Sequence, residues 1–280
     1  MADPANANRS AIPLQFENVS LSFGEEPVLK NISFEVKKGE SLVVLGAAAS
    51  GKTVLLKLAL GLLRADSGRI CVFGKDATEF DEPAWYEIRS RIGVLFQEGG
   101  LFDSLTIEEN VSYPLRNHRS LHVAPEEIQR RVEESLEFVE LGHTLAKFPA
   151  ELSGGMRRRV GIARAIVTQP DLLIYDSPTA GLDPITANTI IALVVKSRDV
   201  RHTTTVMVTH RFQDGEMLSR YYYDPRSAAL RPVLTDNGDD GERSSTRYLV
   251  LREGEVAFLG TPAELEASTD PYVSKFKRRG

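Results

Sequence analysis

Eight residues near the start of the chain limit its possible folds more than any other segment. They run from Gly46 to Thr53 and match the pattern G-x-x-x-x-G-K-[ST]. The residues just before Gly46 are all apolar, and leucines recur at helical spacing over residues 54–63. Because a strand that is apolar at every position is typically buried on both faces, we predict a buried strand, a glycine-bounded loop and a helix, in that order.

A loop of this kind supplies groups that bind nucleotide phosphates. Its backbone amides converge on phosphate oxygens at the N-terminus of the following helix, its lysine neutralises the β and γ phosphates, and its threonine hydroxyl coordinates Mg²⁺. The sequence therefore predicts a site for a nucleoside triphosphate and Mg²⁺. Its candidate residues are Gly46, Ala47, Ala48, Ala49, Ser50, Gly51, Lys52 and Thr53.

Ala49 is an unusual residue for its place in this loop. Many loops of this pattern have another glycine there, and a positive φ would be strained for an alanine. Two outcomes are open: the nucleotide affinity is weakened, or a slightly different turn accommodates the alanine.

The carboxyl end of another predicted strand carries an acidic residue. Residues 171–176 and 203–208 are both predicted to be doubly buried strands, with a helix over residues 185–197 between them. This order predicts a parallel sheet. Asp176 ends the first of these strands, which places its carboxylate at the sheet edge beside the phosphate loop, where it could hold Mg²⁺ through water.

Periodicity and turn residues predict how the remaining chain is organised. Residues 14–23 and 32–36 alternate as half-buried antiparallel strands do, and the mostly helical period between residues 98 and 167 indicates a helical insertion in an α/β core. The other predicted segments are a polar leader at 1–13, a helix at 82–91, a strand at 92–96, a helix at 125–141, an exposed acidic loop at 224–246, a hairpin of 248–251 with 255–259, and a C-terminal extension at 262–280.

Composition excludes several classes of protein. The chain has 34 basic and 39 acidic residues, a net charge of −5, and we expect no nucleic-acid partner. Its single cysteine, Cys71, excludes an intramolecular disulfide and a cysteine-based zinc cluster, and we expect it to be a small buried hydrophobe. No run approaches the roughly 18 to 20 apolar residues of a membrane-spanning helix, and the leader lacks an apolar signal core, so we expect a cytoplasmic protein.

A second glycine-rich helix start, Leu152 to Met156, precedes a basic helix at residues 157–166 and is a second candidate phosphate site. One chain rarely needs two such sites for one nucleotide. Together these motifs resemble those of the nucleotide-binding subunits of ABC transporters, over about residues 14–261. The resemblance identifies residues 152–156 as the family signature, Gln97 as the Q-loop, residues 180–183 as the D-loop and His210 as the switch histidine.

This resemblance implies an α/β fold with a P-loop NTPase core, an antiparallel β subdomain and an inserted helical subdomain. It also implies that two subunits pair head to tail, so that the signature of one closes over the phosphate loop of the other. Residues that would reach ATP across this interface are Ser153, Gly154, Gly155 and Asp183.

Three further roles follow from the resemblance alone. Phe23 would stack on adenine, although it is also a plausible core aromatic residue of a strand. Gln97 would touch Mg²⁺ and the attacking water and link the site to the helical insertion. His210 would hydrogen-bond the γ phosphate and count with Gln97 among the catalytic residues.

Residues 96–106, 109–111 and 113–118 are similar to those of ATPases of Mla- and Mce-type lipid transporters, and residues 156–159 and 270–273 agree with them. In that family the ATPase drives lipid movement through a membrane permease. The implied partners are this permease, a second copy of the chain or a related ATPase, and a Mce-type lipid-binding protein reached through the permease. The implied location is the cytoplasmic face of the inner membrane, where the chain would be peripheral.

One departure from the family pattern concerns catalysis. After Asp176 the family has a glutamate that polarises the attacking water, whereas this chain has Ser177. A hydroxyl is not a general base near neutral pH, and such a loss typically costs about 10² to 10⁴ in rate. We therefore expect slow hydrolysis. Two alternatives stay open: another carboxylate substitutes, or the chain pairs with a different ATPase whose site is complete.

Two functions compete with a transport ATPase. A soluble ABC protein of translation or DNA repair usually needs two such domains in tandem or a long coiled-coil insertion, and neither is visible in this sequence. A regulatory or scaffold subunit that binds ATP with little turnover is the second alternative, because of Ser177 and Ala49.

Overall fold

The computed structural model describes residues 12–118, 123–233 and 245–277. Its strands are β1 (Leu14–Phe23), β2 (Glu26–Val36), β3 (Ser41–Gly46), β4 (Ser67–Val72), β5 (Lys75–Asp76), β6 (Ile92–Leu95), β7 (Leu172–Asp176), β8 (Thr204–Val208), β9 (Tyr221–Asp224), β10 (Ala229–Pro232), β11 (Thr246–Arg252) and β12 (Glu255–Gly260). Its α-helices are α1 (Lys52–Ala59), α2 (Glu82–Arg89), α3 (Ile107–Asn117), α4 (Pro125–Phe138), α5 (Gly154–Ile166), α6 (Pro184–Arg201), α7 (Phe212–Arg220) and α8 (Pro262–Ala267).

The larger sheet lies at the centre of the fold in the order β12-β11-β3-β8-β7-β6. Its strands pair in parallel except at the edge, where β12 runs antiparallel to β11. Residues of β3 supply both hydrophobic cores: Val43 and Leu45 belong to one, and Leu42 and Val44 to the other. All four are fully buried, which confirms the prediction of a strand covered on both faces.

An antiparallel sheet in the order β2-β1-β4-β5 covers one side of this core. The antiparallel strands predicted at residues 14–23 and 32–36 are confirmed, although the second already begins at Glu26. Alternate residues of β1 and β2 turn inward, and Phe16 stacks on Phe34 with ring centroids 4.8 Å apart. Cys71 on β4 is buried, in agreement with its expected role as a small hydrophobe.

Helices α3, α4 and α5 pack against each other on the other side of the sheet. Thr106 and Glu109 form a reciprocal capping box that starts α3, and the Ser153 side chain accepts from the backbone N–H of Met156 at the start of α5. The predicted helix over residues 125–141 is too long: α4 ends at Phe138, and Glu140 adopts a φ of 61° that a right-handed helix does not allow.

The prediction of a loop over residues 224–246 is wrong in its described part. The tyrosine-rich strand β9 pairs with β10 in a two-stranded sheet, and Asp224 closes the turn by accepting from the N–H of Arg226 and the hydroxyl of Ser227. The hairpin is fastened to α6, because the Tyr223 N–H donates to the Asp199 carboxylate. Buried Thr246 already begins β11, while the acidic stretch at residues 234–244 lies outside the described residues.

The parallel register gathers the predicted site at one edge of the sheet. Val208 is the register partner of both Val44 and Asp176, so the ends of β3, β8 and β7 lie side by side. The phosphate loop, His210 and Ser177 therefore follow neighbouring strand ends, which is where ligands bind in sheets of this type. In the part of the chain that the structure describes, no helix is long and apolar enough to cross a membrane.

Candidate nucleotide-binding site

The phosphate loop joins the end of β3 to the start of α1. Gly51 is the N-cap residue of α1 and has a φ of 98°, a conformation that side-chain-bearing residues rarely adopt. A Cβ at this position would come within 2.6 Å of Leu29 Cδ2 on β2. Only glycine therefore allows the loop to turn into the helix at this point.

The Lys52 ammonium folds back over the loop. It donates to the carbonyl oxygens of Gly46 at 2.9 Å and Ala47 at 2.5 Å, and to the Ser50 hydroxyl at 3.3 Å. Burial lowers the pKa of Lys52, and the nearby charge of Asp176 partly offsets this effect. Its three protein acceptors are neutral, so the site holds a positive charge that an anionic phosphate would compensate.

The first turn of α1 presents its backbone amides without a side-chain cap. Such amides have no partner within the helix and form the positive end of the helix dipole. Ala47, Ala48 and Ala49 of the loop are exposed, as is Thr53. The loop is therefore open to solvent on the side where a phosphate would enter. Its backbone amides and the Lys52 ammonium are suitable donors to phosphate oxygens.

Asp176 fits the proposed magnesium position. It lies at the end of β7 with 9% of its surface exposed, and burial raises the pKa of its carboxyl group, against the opposing effects of the Ser177 hydrogen bond and the Lys52 charge. A bound cation would relieve the cost of this buried negative charge. With the exposed Thr53 hydroxyl, the carboxylate provides the oxygen ligands that Mg²⁺ prefers.

Ser177 occupies a constrained position. Its N–H donates to the Val208 carbonyl at 2.9 Å, and its hydroxyl donates to Asp176 Oδ1 at 3.1 Å. Its φ is 49°, in the left-handed region. The hydroxyl is therefore bound to the Asp176 carboxylate, and it holds no carboxylate of its own that could accept a proton from water.

The positive φ expected at Ala49 is present, with a value of 59°. Of the two outcomes left open by the sequence, a different turn that avoids this conformation is thereby excluded. The left-handed region costs an L-residue about 1–2 kcal/mol. The loop carries this strain at Ala49.

Gln97 and His210 are both exposed, each just beyond a strand end. Gln97 lines a cavity of 540 Å³ together with Gly154 and Gly181, whereas a different cavity adjoins the phosphate loop and has Lys52 and Thr53 in its wall. The signature and the phosphate loop of one chain thus line separate cavities. The structure does not bring Gly154 to the phosphate loop within a single subunit.

The other signature and D-loop residues have local structural partners. Asp183 is the N-cap of α6, where its carboxylate accepts from the N–H groups of Ile185 and Thr186 at 3.0 Å, and the hydrogen bonds from Thr186 lower its pKa. A Cβ on Gly155 would come within 2.5 Å of Thr186 Cγ2, so the two helix starts are in close contact. ATP binding by Ser153, Gly154, Gly155 and Asp183 stays a prediction about a dimer.

Phe23 lies at the end of β1 with 53% of its surface exposed. Its register partner is Glu26, and Glu26 contributes to the wall of the cavity beside the phosphate loop. Phe23 is therefore not a core residue, and it lies near the rim of the cavity beside the phosphate loop. Adenine stacking stays a prediction.

Residues 29–180, more than half of the chain, match the family model described as ABC transporter. The chain belongs to the ABC transporter family. Within that family, the intermembrane phospholipid transport system ATP-binding protein MlaF of Haemophilus influenzae is 36% identical over 211 residues, which are 75% of this chain and 79% of that protein. The probable ribonucleotide transport ATP-binding protein mkl of Mycobacterium leprae is 38% identical over 199 residues, or 71% of this chain. The chain spans just over half, 57%, of the length of that mycobacterial relative.

The fold of this ABC transporter chain is that of an ATP-binding cassette. A solved dimeric cassette in a post-hydrolysis state, bound to ADP and Pi, superposes with a TM-score of 0.72 at 28% identity. The match covers 89% of this chain and 98% of that one. The expected α/β P-loop core with its antiparallel and helical parts is thereby confirmed.

One contact of the site was not found from the sequence. The Tyr272 hydroxyl accepts from the Ala47 N–H at 3.3 Å and donates to the Leu251 carbonyl at 3.0 Å. The C-terminal extension thus touches the first residue of the phosphate loop after Gly46. No short motif contains this contact, because the two residues are 225 positions apart.

Proposed function

We propose that this chain is the ATP-binding subunit of a lipid-moving ABC transporter and couples ATP binding and slow hydrolysis to a membrane permease. The observation that carries the proposal is the phosphate loop, in which Lys52 folds back onto the carbonyls of Gly46 and Ala47 beside the uncapped start of α1. A second copy of the chain, or a related ATPase, would complete the site. The complex would lie at the cytoplasmic face of a membrane.

In this proposal the residues of the loop bind and orient the triphosphate. The uncapped amides of α1 hold phosphate oxygens, and Lys52 balances the charge on the β and γ phosphates. Thr53 and Asp176 would hold Mg²⁺. Gln97, which the resemblance adds to them, lines a separate cavity in the single subunit. Bound Mg²⁺ would neutralise part of the charge of the phosphates.

Slow hydrolysis follows from what Ser177 lacks. Phosphoryl transfer depends mainly on positioning and charge stabilisation, and Lys52 and His210 would still supply these. Without a base, the attacking water is oriented but less activated. A regulatory subunit with little turnover is the second candidate, favoured by the strain at Ala49 and the hydroxyl at Ser177.

A lipid is the proposed cargo because of two similarities. The relative from Haemophilus influenzae is named for intermembrane phospholipid transport, and residues 96–106, 109–111 and 113–118 are similar to those of Mla- and Mce-type ATPases. A Mce-type protein would then be a further partner through the permease. The mycobacterial relative is named for ribonucleotide transport, which makes ribonucleotides the competing cargo.

The proposed permease contact lies at the helical insertion. Phe102 is 42% exposed, its ring lies 4.7 Å from that of Tyr113, and the Arg164 guanidinium lies 5.9 Å from the Phe102 ring. All three residues line one groove, which also contains Phe96 next to Gln97. A permease helix in this groove would be adjacent to the Q-loop, which gives a direct path from the membrane to the nucleotide.

Titration of the purified chain with ATP and Mg²⁺ tests the nucleotide site. Lys52→Ala should weaken binding by roughly tenfold to a hundredfold, because a charged hydrogen bond is worth about 1.5–3 kcal/mol. Lys57→Ala is the matched control, since Lys57 is an exposed residue of the same helix and also acts on the Asp176 charge. Equal affinities for the wild type and Lys52→Ala, with both folded, would refute the site.

Reconstitution with a candidate permease, sought among the genes that neighbour the gene of this chain, tests the cargo. Transfer of a labelled phospholipid that requires ATP and is lost in Lys52→Ala supports lipid transport. Hydrolysis stimulated by ribonucleotides and not by phospholipid would assign the competing cargo. Tight ATP binding with no hydrolysis in either case would support the regulatory role instead.

A further inference from the structure

A buried carboxylate connects two loops of the site. Asp214 lies in the first turn of α7 and is 2% exposed. Its Oδ2 atom accepts from the hydroxyl of Thr179 at 2.6 Å and from the hydroxyl of Thr209 at 2.7 Å. Its Oδ1 atom lies 3.6 Å from Arg211 Nε. One side chain therefore bonds to the segments that follow β7 and β8.

Both partner threonines flank residues of the proposed site. Thr209 immediately precedes His210, and its hydroxyl also accepts from the N–H of Arg211, the residue after His210, at 3.1 Å. Thr179 follows Ser177 by two residues and begins the segment that ends at Asp183. Asp214 thus holds both neighbours of the switch histidine and the base of the D-loop.

Burial makes this arrangement costly unless it is well satisfied. A buried charge loses several kcal/mol of hydration, which hydrogen bonds and an ion pair must offset. Thr179 and Thr209 are each only 1% exposed, so neither hydroxyl has water as an alternative partner. The His210 side chain, in contrast, is exposed and is not fixed by packing, so its position depends on the backbone that Asp214 holds.

We propose that Asp214 is a positioning residue that fixes the position of His210 relative to the segment of residues 179–183. When the opposite subunit closes on this segment, the shared carboxylate would carry the displacement to His210. The contact of His210 with the γ phosphate then depends on closure of the dimer. This inference rests on the proposed function, because it assumes that His210 acts on a bound ATP that is hydrolysed.

Two variants remove parts of the link. Asp214→Asn keeps the side-chain shape but loses the charge that faces Arg211, and Thr179→Val removes one hydroxyl donor without loss of volume. Thr205→Val is the matched control: Thr205 is fully buried in β8, and its hydroxyl has no hydrogen-bond partner among the described residues. Single-turnover and steady-state ATP hydrolysis, ATP affinity and thermal stability are measured for each.

We expect Asp214→Asn to lower kcat by about tenfold to a hundredfold, as small misplacements of catalytic groups do, with KM for ATP changed less than about twofold. Thr179→Val should lower kcat in the same direction by a smaller factor, and Thr205→Val should leave it unchanged. In a His210→Ala background, Asp214→Asn should have almost no further effect, because its action passes through His210.

Three results overturn the inference while leaving the proposed function in place. One is a wild-type kcat in both Asp214→Asn and Thr179→Val. Another is a kcat loss that is equally large with and without His210. The third is a loss of activity in Asp214→Asn that is explained by a raised KM or by unfolding, provided that Thr179→Val is folded and fully active. If the wild type does not hydrolyse ATP, the proposed function fails and the inference fails with it.

Discussion

At the scale of single residues, Ala49 and Ser177 share a feature that their identities do not suggest. Both adopt positive φ values, of 59° and 49°, although both carry side chains. The residues around them impose this conformation: the phosphate loop must turn into α1, and Ser177 must follow β7 while its N–H bonds to Val208. Strain of this kind persists at functional sites because the surrounding structure holds it in place.

Ala49→Gly should therefore be tolerated or stabilising. Glycine removes the left-handed strain of about 1–2 kcal/mol and costs about 0.5–1 kcal/mol in chain entropy. Ala48→Gly is the control, because Ala48 has no positive φ and should only lose stability. Thermal unfolding of both variants checks this. A melting temperature for Ala49→Gly at or below that of Ala48→Gly would contradict the prediction.

Ser177→Glu should raise single-turnover hydrolysis by about tenfold or more, because it adds the missing base next to the attacking water. Ser177→Gln is the control: its side chain has nearly the same shape as that of Ser177→Glu but carries no charge, so the hydrolysis rate should not rise. If another carboxylate already serves, the new charge beside it would leave the rate flat or lower. A wild-type rate typical of competent transport ATPases would show that the slow-hydrolysis hypothesis is wrong.

At the scale of elements, the helical insertion combines local and distant contacts. The Asn110 amide group donates to the carbonyls of Phe102, Leu105 and Thr106, and its carbonyl oxygen accepts from the Phe102 N–H. Asn110 is fully buried, so these bonds fix the segment between the Q-loop and α3. The exposed face of Phe102 is thus held on a rigid support.

Phe102→Glu should abolish association with the permease and leave ATP affinity unchanged. A carboxylate in this groove loses several kcal/mol of hydration when a partner helix covers it, and the Arg164 guanidinium, 5.9 Å from the Phe102 ring, would offset only part of that cost. Phe148→Glu is the matched control, since Phe148 lies in the same insertion and is 43% exposed compared with 42% for Phe102. Co-purification with the permease is the measurement. If Phe102→Glu is retained on the permease as well as Phe148→Glu, the contact lies elsewhere.

At the scale of the whole molecule, one subunit presents only part of a complete site. The phosphate loop and Gly154 line separate cavities, and the solved neighbour with ADP and Pi is dimeric. A second subunit is the simplest source of a signature for the phosphate loop. We therefore expect dimerisation to depend on ATP.

Ser153→Asp should prevent ATP-dependent dimerisation. Its carboxylate would face the γ phosphate of the ATP bound to the opposite subunit, and the two negative charges would repel each other. Aspartate is as good an N-cap as serine, so the start of α5 should remain intact. Ser153→Asn keeps the cap without the charge and is the control. Sedimentation with saturating ATP and the permease decides. A wild-type protein that stays monomeric there would refute the head-to-tail site itself.

Local patterns were sufficient to predict the central sheet, the phosphate loop and the positions of Lys52, Thr53 and Asp176 in the fold, while their binding of ATP and Mg²⁺ stays a prediction. They were insufficient for the hairpin of β9 and β10, because its strands are stabilised by contacts with α6 that are distant in sequence. The length of α4 was also overestimated. Apolar residues continue to Leu141, but the helix ends at Phe138, and Glu140 has a positive φ.

The sequence by itself determined which chemistry the site can perform, because phosphate binding depends on residue types at short fixed spacings around Lys52 and on the apolar runs that bury β3 and β7. It also determined what is missing, since Ser177 has no carboxylate whatever its surroundings. Only the tertiary structure decided the backbone strain at Ala49, the contact of Tyr272 with the loop, and the position of Asp214 between Thr179 and Thr209. These features depend on residues brought together by packing across long stretches of chain, and no local periodicity records such distances.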